Sequence, residues 1–117
     1  MIPDNELISL IARKVMGWKA VCEHPFVTQG RVFQAWHWED KEGNFRSIHW
    51  NPIQDANHHA EAYLALDPAA RDRVEIPEHD YRPGGTTAEA AAAWIHLTEE
   101  GRRAFWNAWA ERTSHDS

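Results

Sequence analysis

The stretch from Arg31 to Trp50 constrains the fold of this chain most, because it reads as a single β-hairpin carrying most of the unusual residues. Arg31 to Glu39 supply a first arm and Phe45 to Trp50 a second. Between them, Lys41, Glu42 and Gly43 suit a three-residue loop with glycine in the left-handed position. That register sets Trp38 opposite Arg46, Trp36 opposite Ile48 and Gln34 opposite Trp50 on one face. Side chains alternate along a strand, so His37 with Ser47 and Ala35 with His49 fall on the other face. Phe33 and Phe45 stand near the ends of that second face. One face is then a tryptophan slab, and the other is smaller and carries two histidines.

A chain of 117 residues supports one domain and one core. The domain is expected over residues 1–112, with 113–117 as a frayed tail. Of the seven tryptophans, Trp18, Trp36, Trp94 and Trp109 are expected in the core. Trp38 and Trp50, nearer the hairpin ends, are either partly exposed or covered by the first or last helix, and with helices available for both faces the covered reading is preferred. A formal net charge of −6 argues against broad binding to nucleic acid or anionic membranes, which need a positive field. A single cysteine, Cys22, leaves no internal disulfide and fits a reducing compartment. The first residues include Asp4 and Glu6 and no long apolar run, so no signal peptide is expected. No segment approaches the roughly 20 apolar residues of a membrane span. A cytoplasmic protein is the expectation.

Along the chain, Leu7, Ile8, Ile11 and Val15 recur at helical spacing and predict a helix from Asp4 to Met16, capped by Asp4 or Asn5. Arg13 and Lys14 suit its last turn, and Gly17 suits its stop. Val21 to Val27 is ambiguous, and Pro25 confines it to an edge strand or loop. After the hairpin, Asn51, Pro52 and Gln54 predict a capped helix start running to Leu66. Its apolar stripe is Ile53, Ala56, Ala60, Tyr63 and Leu64, with His58 opposite and His59 at the border. Asp67 and Pro68 start a short helical turn through Arg73. Val74 to Ile76 is a possible short strand, followed by a proline-bracketed loop to Gly85. Thr86 to Glu89 form a capping box opening an alanine-rich helix to Leu97. Thr98 to Gly101 kink or restart it, and Phe105 and Trp109 share a face of a last section ending near Arg112. The fold class is α+β: a small antiparallel sheet centred on the hairpin, layered with three to four helices.

Three segments resemble the phage-type α/β/α sandwich family, the phage ABA sandwich domain, in this order along the chain. The first is Asn5, Glu6, Leu7 and Ile8 followed by Lys14, Val15, Met16, Gly17 and Trp18. The second is Trp50, Asn51 and Pro52 leading into Asp55 to Leu66. The third is the threonine-started, alanine-rich run Thr86 to Ala93. The resemblance covers roughly half the chain. It implies a layered fold and a phage or prophage origin, and carries over no catalytic residues. The short, proline-broken region before Thr86 departs from the family, in which further strands follow, and residues 98–112 have no counterpart.

Candidate sites are few. His37 and His49 on one hairpin face, with Glu39 nearby, invite a metal, but a metal site needs three or four converging ligands. Ordinary half-buried histidines are the simpler reading, and no cofactor is expected. Cys22 and His24 lie two residues apart, as a thiolate pair would, without a third orienting group. Gly84 and Gly85 before Thr86 open a helix N-terminus that can hold a phosphate, with Arg82 beside it. Arg46 opposite Trp38 suits stacking on its ring, and an aromatic-plus-arginine patch suits a planar base. The ligand-binding candidates are thus Trp38, Arg46, Trp50, Arg82 and Thr86. Glu99, Glu100, Arg102 and Arg103 read as a solvated helix surface.

The function these readings lead to is a non-enzymatic phage or prophage accessory protein that counters a host defence. It would act by sequestering a small nucleotide-like ligand, as a homo-oligomer in the bacterial cytoplasm. Two alternatives stand beside it. One is an acidic inhibitor that occupies a positively charged groove of a host defence protein. The other is a small metal-dependent hydrolase using the histidines.

Overall fold

The computed structural model describes residues 2–23, 25–33, 35–74 and 88–116. In chain order the elements are α1 (Asp4–Lys14), β1 (Lys19–Cys22), β2 (Phe26–Thr28), β3 (Arg31–Phe33), β4 (Trp36–Glu39), β5 (Phe45–Arg46), α2 (Ala56–Ala65), α3 (Pro68–Asp72), α4 (Ala88–Leu97) and α5 (Glu99–Asp116). This is an α+β fold, with five helices, a three-stranded antiparallel sheet in the order β1-β4-β5 and a separate β2-β3 hairpin among the described residues.

The central hairpin forms in the expected register, but shorter. Trp38 pairs with Arg46 and Glu39 with Phe45. The loop is held by Asp40, whose Oδ1 accepts from the N–H groups of Glu42 and Asn44, and Gly43 takes φ 85°. A side chain there would be strained, so the glycine fixes the turn. The ladder ends at Arg46. Ser47 then bends the chain: its Oγ accepts the His49 N–H and its carbonyl accepts the Trp50 N–H. Those local bonds compete with strand pairing, so Trp36 and Ile48 never form a ladder pair. Trp36 instead faces Cys22, because β1 occupies the other edge of β4. The expected first arm from Arg31 is likewise two strands. β3 leaves the sheet and folds on β2 across a turn at Gln29 and Gly30. The pairing of Gln34 with Trp50 falls outside the described residues.

The helix starts differ from expectation for identifiable reasons. Pro3 occupies the N-cap of α1 and makes no side-chain cap. Asp4 lies inside the first turn and is drawn into a two-pronged ion pair with Arg103. α1 ends at Lys14, and Gly17 at φ 71° lets the chain reverse, with the Trp18 N–H donating back to the Ala12 carbonyl. Two caps compete before α2. The Asn51 Oδ1 accepts from Ile53 and Gln54 N–H, but this closes only one turn. The helix begins after Asp55, whose carboxylate accepts from Asn57 and His58 N–H. The buried face of α2 is consequently His59 and Ala62, continued by the C-cap residue Leu66, while Ala56, Ala60 and Leu64 of the expected stripe are exposed. Pro68 opens α3 as expected, without a side-chain cap from Asp67. Thr98 separates α4 from α5: its hydroxyl donates to the Trp94 carbonyl and accepts the Gly101 N–H. α5 continues to Asp116, past the end expected near Arg112. Residues 75–87, which hold most of the expected strand to Ile76, the loop to Gly85 and the Thr86 end of the capping box, lie outside the described residues, and Val74 itself is in no strand.

The core joins α1, the Trp38 face of the sheet and the helices α2 and α5. Leu7, Ile11, Trp18, Trp38, Trp50, Ile53, Ala62, Phe105, Trp106 and Trp109 are all buried in it. Trp38 and Trp50 are covered, as the preferred reading had it, but Trp36 does not join the core. Trp38 and Trp50 are 2% and 3% exposed, whereas Trp36 is 39% exposed. α1 lies over Trp38, but the β5 ladder has already ended beside Trp36, leaving its ring uncovered. On the other sheet face Phe45 rests on His37 with ring centroids 4.8 Å apart and is 65% exposed. The run expected as solvated surface is also part of the structure: Arg102 is buried, and Arg103 ties Asp4 and Glu99 together. No helix among the described residues is long and apolar enough to cross a membrane.

Candidate functional site

Strand pairing places Ala20 beside Trp38 and Cys22 beside Trp36 on the inner face of the sheet. Two small side chains next to two indoles leave space, and α1 roofs it. On α1, Asn5, Ser9 and Arg13 recur every four residues and form a polar stripe flanking the buried Leu7 and Ile11. The result is a groove with two adjoining hollows that share Asn5, Ser9, Trp36 and Trp38. The first, about 650 Å³, is completed by Glu6, Leu10, Arg13, Ala20 and Cys22. The second, about 510 Å³, is completed by Ile8, Ile48, His49, Trp50, Asn51 and Gln54.

Trp36 stands as the wall common to both hollows, its ring nearly perpendicular to that of Trp38 at 85° with centroids 5.2 Å apart. The edge contact fixes the exposed indole and leaves a face for a ligand. Arg13 lies 5.9 Å from the Trp38 ring centroid. Among the described residues no carboxylate is within ion-pair distance of it. An exposed ring, a guanidinium without a carboxylate partner among the described residues, and hydroxyl and amide groups in one groove can stack a planar group and hold an anion.

The expected site residues separate. Trp38 forms the floor of the groove, and Trp50 contributes to the second hollow. Arg46 does not stack on Trp38. Its guanidinium lies 4.5 Å from the Trp18 ring centroid and binds Glu61 at 2.6 Å. The same carboxylate oxygen accepts the Trp50 indole N–H at 2.8 Å, so Arg46 is committed to holding β5 against α2. Arg82 and Thr86 lie outside the described residues. His37 and His49 do not share a face. His37 stays on the outer face, 3.2 Å from Glu23, while the bend at Ser47 carries His49 into the second hollow. Among the described residues no three His, Cys, Asp or Glu side chains are placed to hold a metal ion. Cys22 is exposed in the first hollow, and His24 lies outside the described residues.

Sequence reasoning passed over Trp36 and Arg13 as ligand-facing groups. The polar spacing Asn5-Ser9-Arg13 was the available signal. It also missed His59. This ring is 2% exposed, and its Nδ1 accepts the Trp106 indole N–H at 2.9 Å. In the neutral ring the proton therefore sits on Nε2, which donates to His96 Nδ1 at 2.8 Å. Burial first, then the neighbouring His96 and Arg102, lower the His59 pKa to about 4. Burial also lowers that of His96. With Tyr63 and Phe105 around it, this is a polar chain inside the helical layer, and none of its three rings lines the groove.

No protein-family model matches the chain, no curated protein matches it, and no solved structure matches it.

Proposed function

We propose that this chain is a non-enzymatic binding protein that sequesters a small nucleotide-like ligand in the groove between α1 and β4. The observation that carries this reading is the exposed Trp36 indole in a hollow of about 650 Å³ that Arg13 also lines, with no carboxylate paired to Arg13 among the described residues. The indole stacks the base, Arg13 takes the phosphate, and Asn5, Ser9 and Gln54 supply hydrogen bonds. A net charge of −6 favours a ligand held by one local cation over an extended polyanion. No trio of nucleophile, base and orienting group converges among the groove's described residues, so capture is preferred to turnover. The similarity of Lys14 to Trp18 and of Trp50 to Pro52 to the phage sandwich domain supports a phage or prophage accessory role against a host defence signal. The exposed Phe45 on the outer sheet face supports self-association.

The experiment is native mass spectrometry of the protein purified from infected bacterial cells, alongside Trp36→Ala and Arg13→Ala. A small-molecule mass excess on the wild type, lost in both variants, supports sequestration. Bare wild-type protein accompanied by a stoichiometric host protein overturns it in favour of the acidic inhibitor, for which the charge of −6 speaks.

A further inference from the structure

Arg102 stands near the start of α5, does not itself line the groove, and is 5% exposed. Among the described residues no carboxylate pairs with it, and its hydrogen bonds run to three carbonyls. Nε donates to the Ile53 carbonyl at 2.7 Å, Nη1 to His96 at 3.1 Å and Nη2 to Gln54 at 3.3 Å. A guanidinium taken out of water is costly unless its fork of donors is matched, and here three backbone oxygens from two segments match it. Ile53 and Gln54 belong to the turn between Asn51 and Asp55, and Asn51 and Gln54 are part of the wall of the second hollow. The N–H groups of that turn are bound locally: Asn51 Oδ1 takes those of Ile53 and Gln54, and His58 Nδ1 takes that of Asn51. Its carbonyls at Ile53 and Gln54 are held from behind by Arg102.

We infer that Arg102 is a positioning residue for the groove, fixing the Asn51–Gln54 wall by clamping the Ile53 and Gln54 carbonyls to α5 and to the end of α4. An apolar side chain would fill the same volume, but it would leave the buried Ile53 carbonyl and the part-buried Gln54 carbonyl without donors and the turn free to rotate. The lysine ammonium keeps the charge but presents its donors from a single nitrogen, and it cannot reproduce the planar fork that reaches both neighbours. The inference rests on the reading of the groove as a binding site, and it names the residue that sets the shape of one wall.

The test compares wild type with Arg102→Lys and Arg102→Met by amide NMR and by calorimetric titration with adenosine monophosphate. The expected result for Arg102→Lys is displaced amide resonances at Asn51 and Gln54, unmoved ones at Asn5 and Ser9, and an affinity lower by about tenfold, the worth of one lost polar contact. Should Arg102→Met fail to fold, the lysine variant carries the test alone. Unmoved Asn51 and Gln54 resonances overturn the inference, as do changes spread evenly through the core. Absence of heat with the wild type counts against the nucleotide reading, and the resonance pattern then decides the positioning role by itself.

Discussion

Acidification should cost this protein stability through His59, and the size of the loss follows from its surroundings. In the folded chain the ring is buried, its Nδ1 is occupied by the Trp106 N–H, and its pKa lies at about 4. In the unfolded chain it is near the ordinary value of 6.5. A group with a lowered folded pKa favours the unfolded state wherever that state alone binds the proton. The contribution of His59 is therefore complete above pH 6.5 and is lost progressively as the pH falls toward 4. The slope approaches about 1.4 kcal/mol per pH unit, so between pH 7.5 and pH 4.5 the loss is about 2 to 3 kcal/mol. That is a large fraction of the roughly 5–15 kcal/mol typical of a domain. Urea unfolding at several pH values measures it. His59→Gln is the control, because its amide can accept from Trp106 and donate to His96 without titrating there. Wild type should lose about 2 kcal/mol more than the variant across this range. Parallel pH profiles for the two proteins would refute the buried neutral pair.

Three further outcomes follow from the packing. Gly101→Ala places a Cβ 1.8 Å from the Trp94 carbonyl oxygen, so α4 and α5 must separate; a loss of about 3 kcal/mol or more is expected in thermal denaturation, and one below about 1 kcal/mol would contradict the close crossing. Glu61→Ala strands the buried Trp50 N–H and frees Arg46, and should cost about 2 kcal/mol in urea unfolding; an unchanged midpoint would show that β5 is held otherwise. Trp36→Ala removes a half-exposed ring and should change stability by only about 1 kcal/mol while abolishing ligand retention, so a collapse of the fold on this change would mean that the ring is core.

The hairpin register was legible because Gly43 leaves few choices for a loop between two aromatic runs, and the Trp38–Arg46 pair duly forms. The length of the ladder was not legible, since a single serine hydroxyl at position 47 ends it. The start of α2 shows the same limit. Asn51 and Asp55 are both sound caps, and a shift between them rotates the buried face from Ala56 and Ala60 to His59 and Ala62. Charge carried no burial information at Arg102 and Arg103, because Arg102 bonds backbone oxygens and Arg103 adds to its neighbour Glu99 a carboxylate distant in sequence, Asp4. Part of the groove was implicit in the alternation that sets Ala20 and Cys22 beside two indoles. That β1 would pair with β4 at all depends on long-range contacts that no local pattern encodes.

The account turns on the groove between α1 and β4 as the place where a planar anion settles. Amide and indole NMR during titration with adenosine monophosphate tests this most directly. The predicted result is saturable movement of the Trp36 indole N–H and of the Asn5, Ser9 and Arg13 amides, with the Arg46 and Phe45 resonances still. Movement centred on Phe45 and His37, or none anywhere, would contradict it.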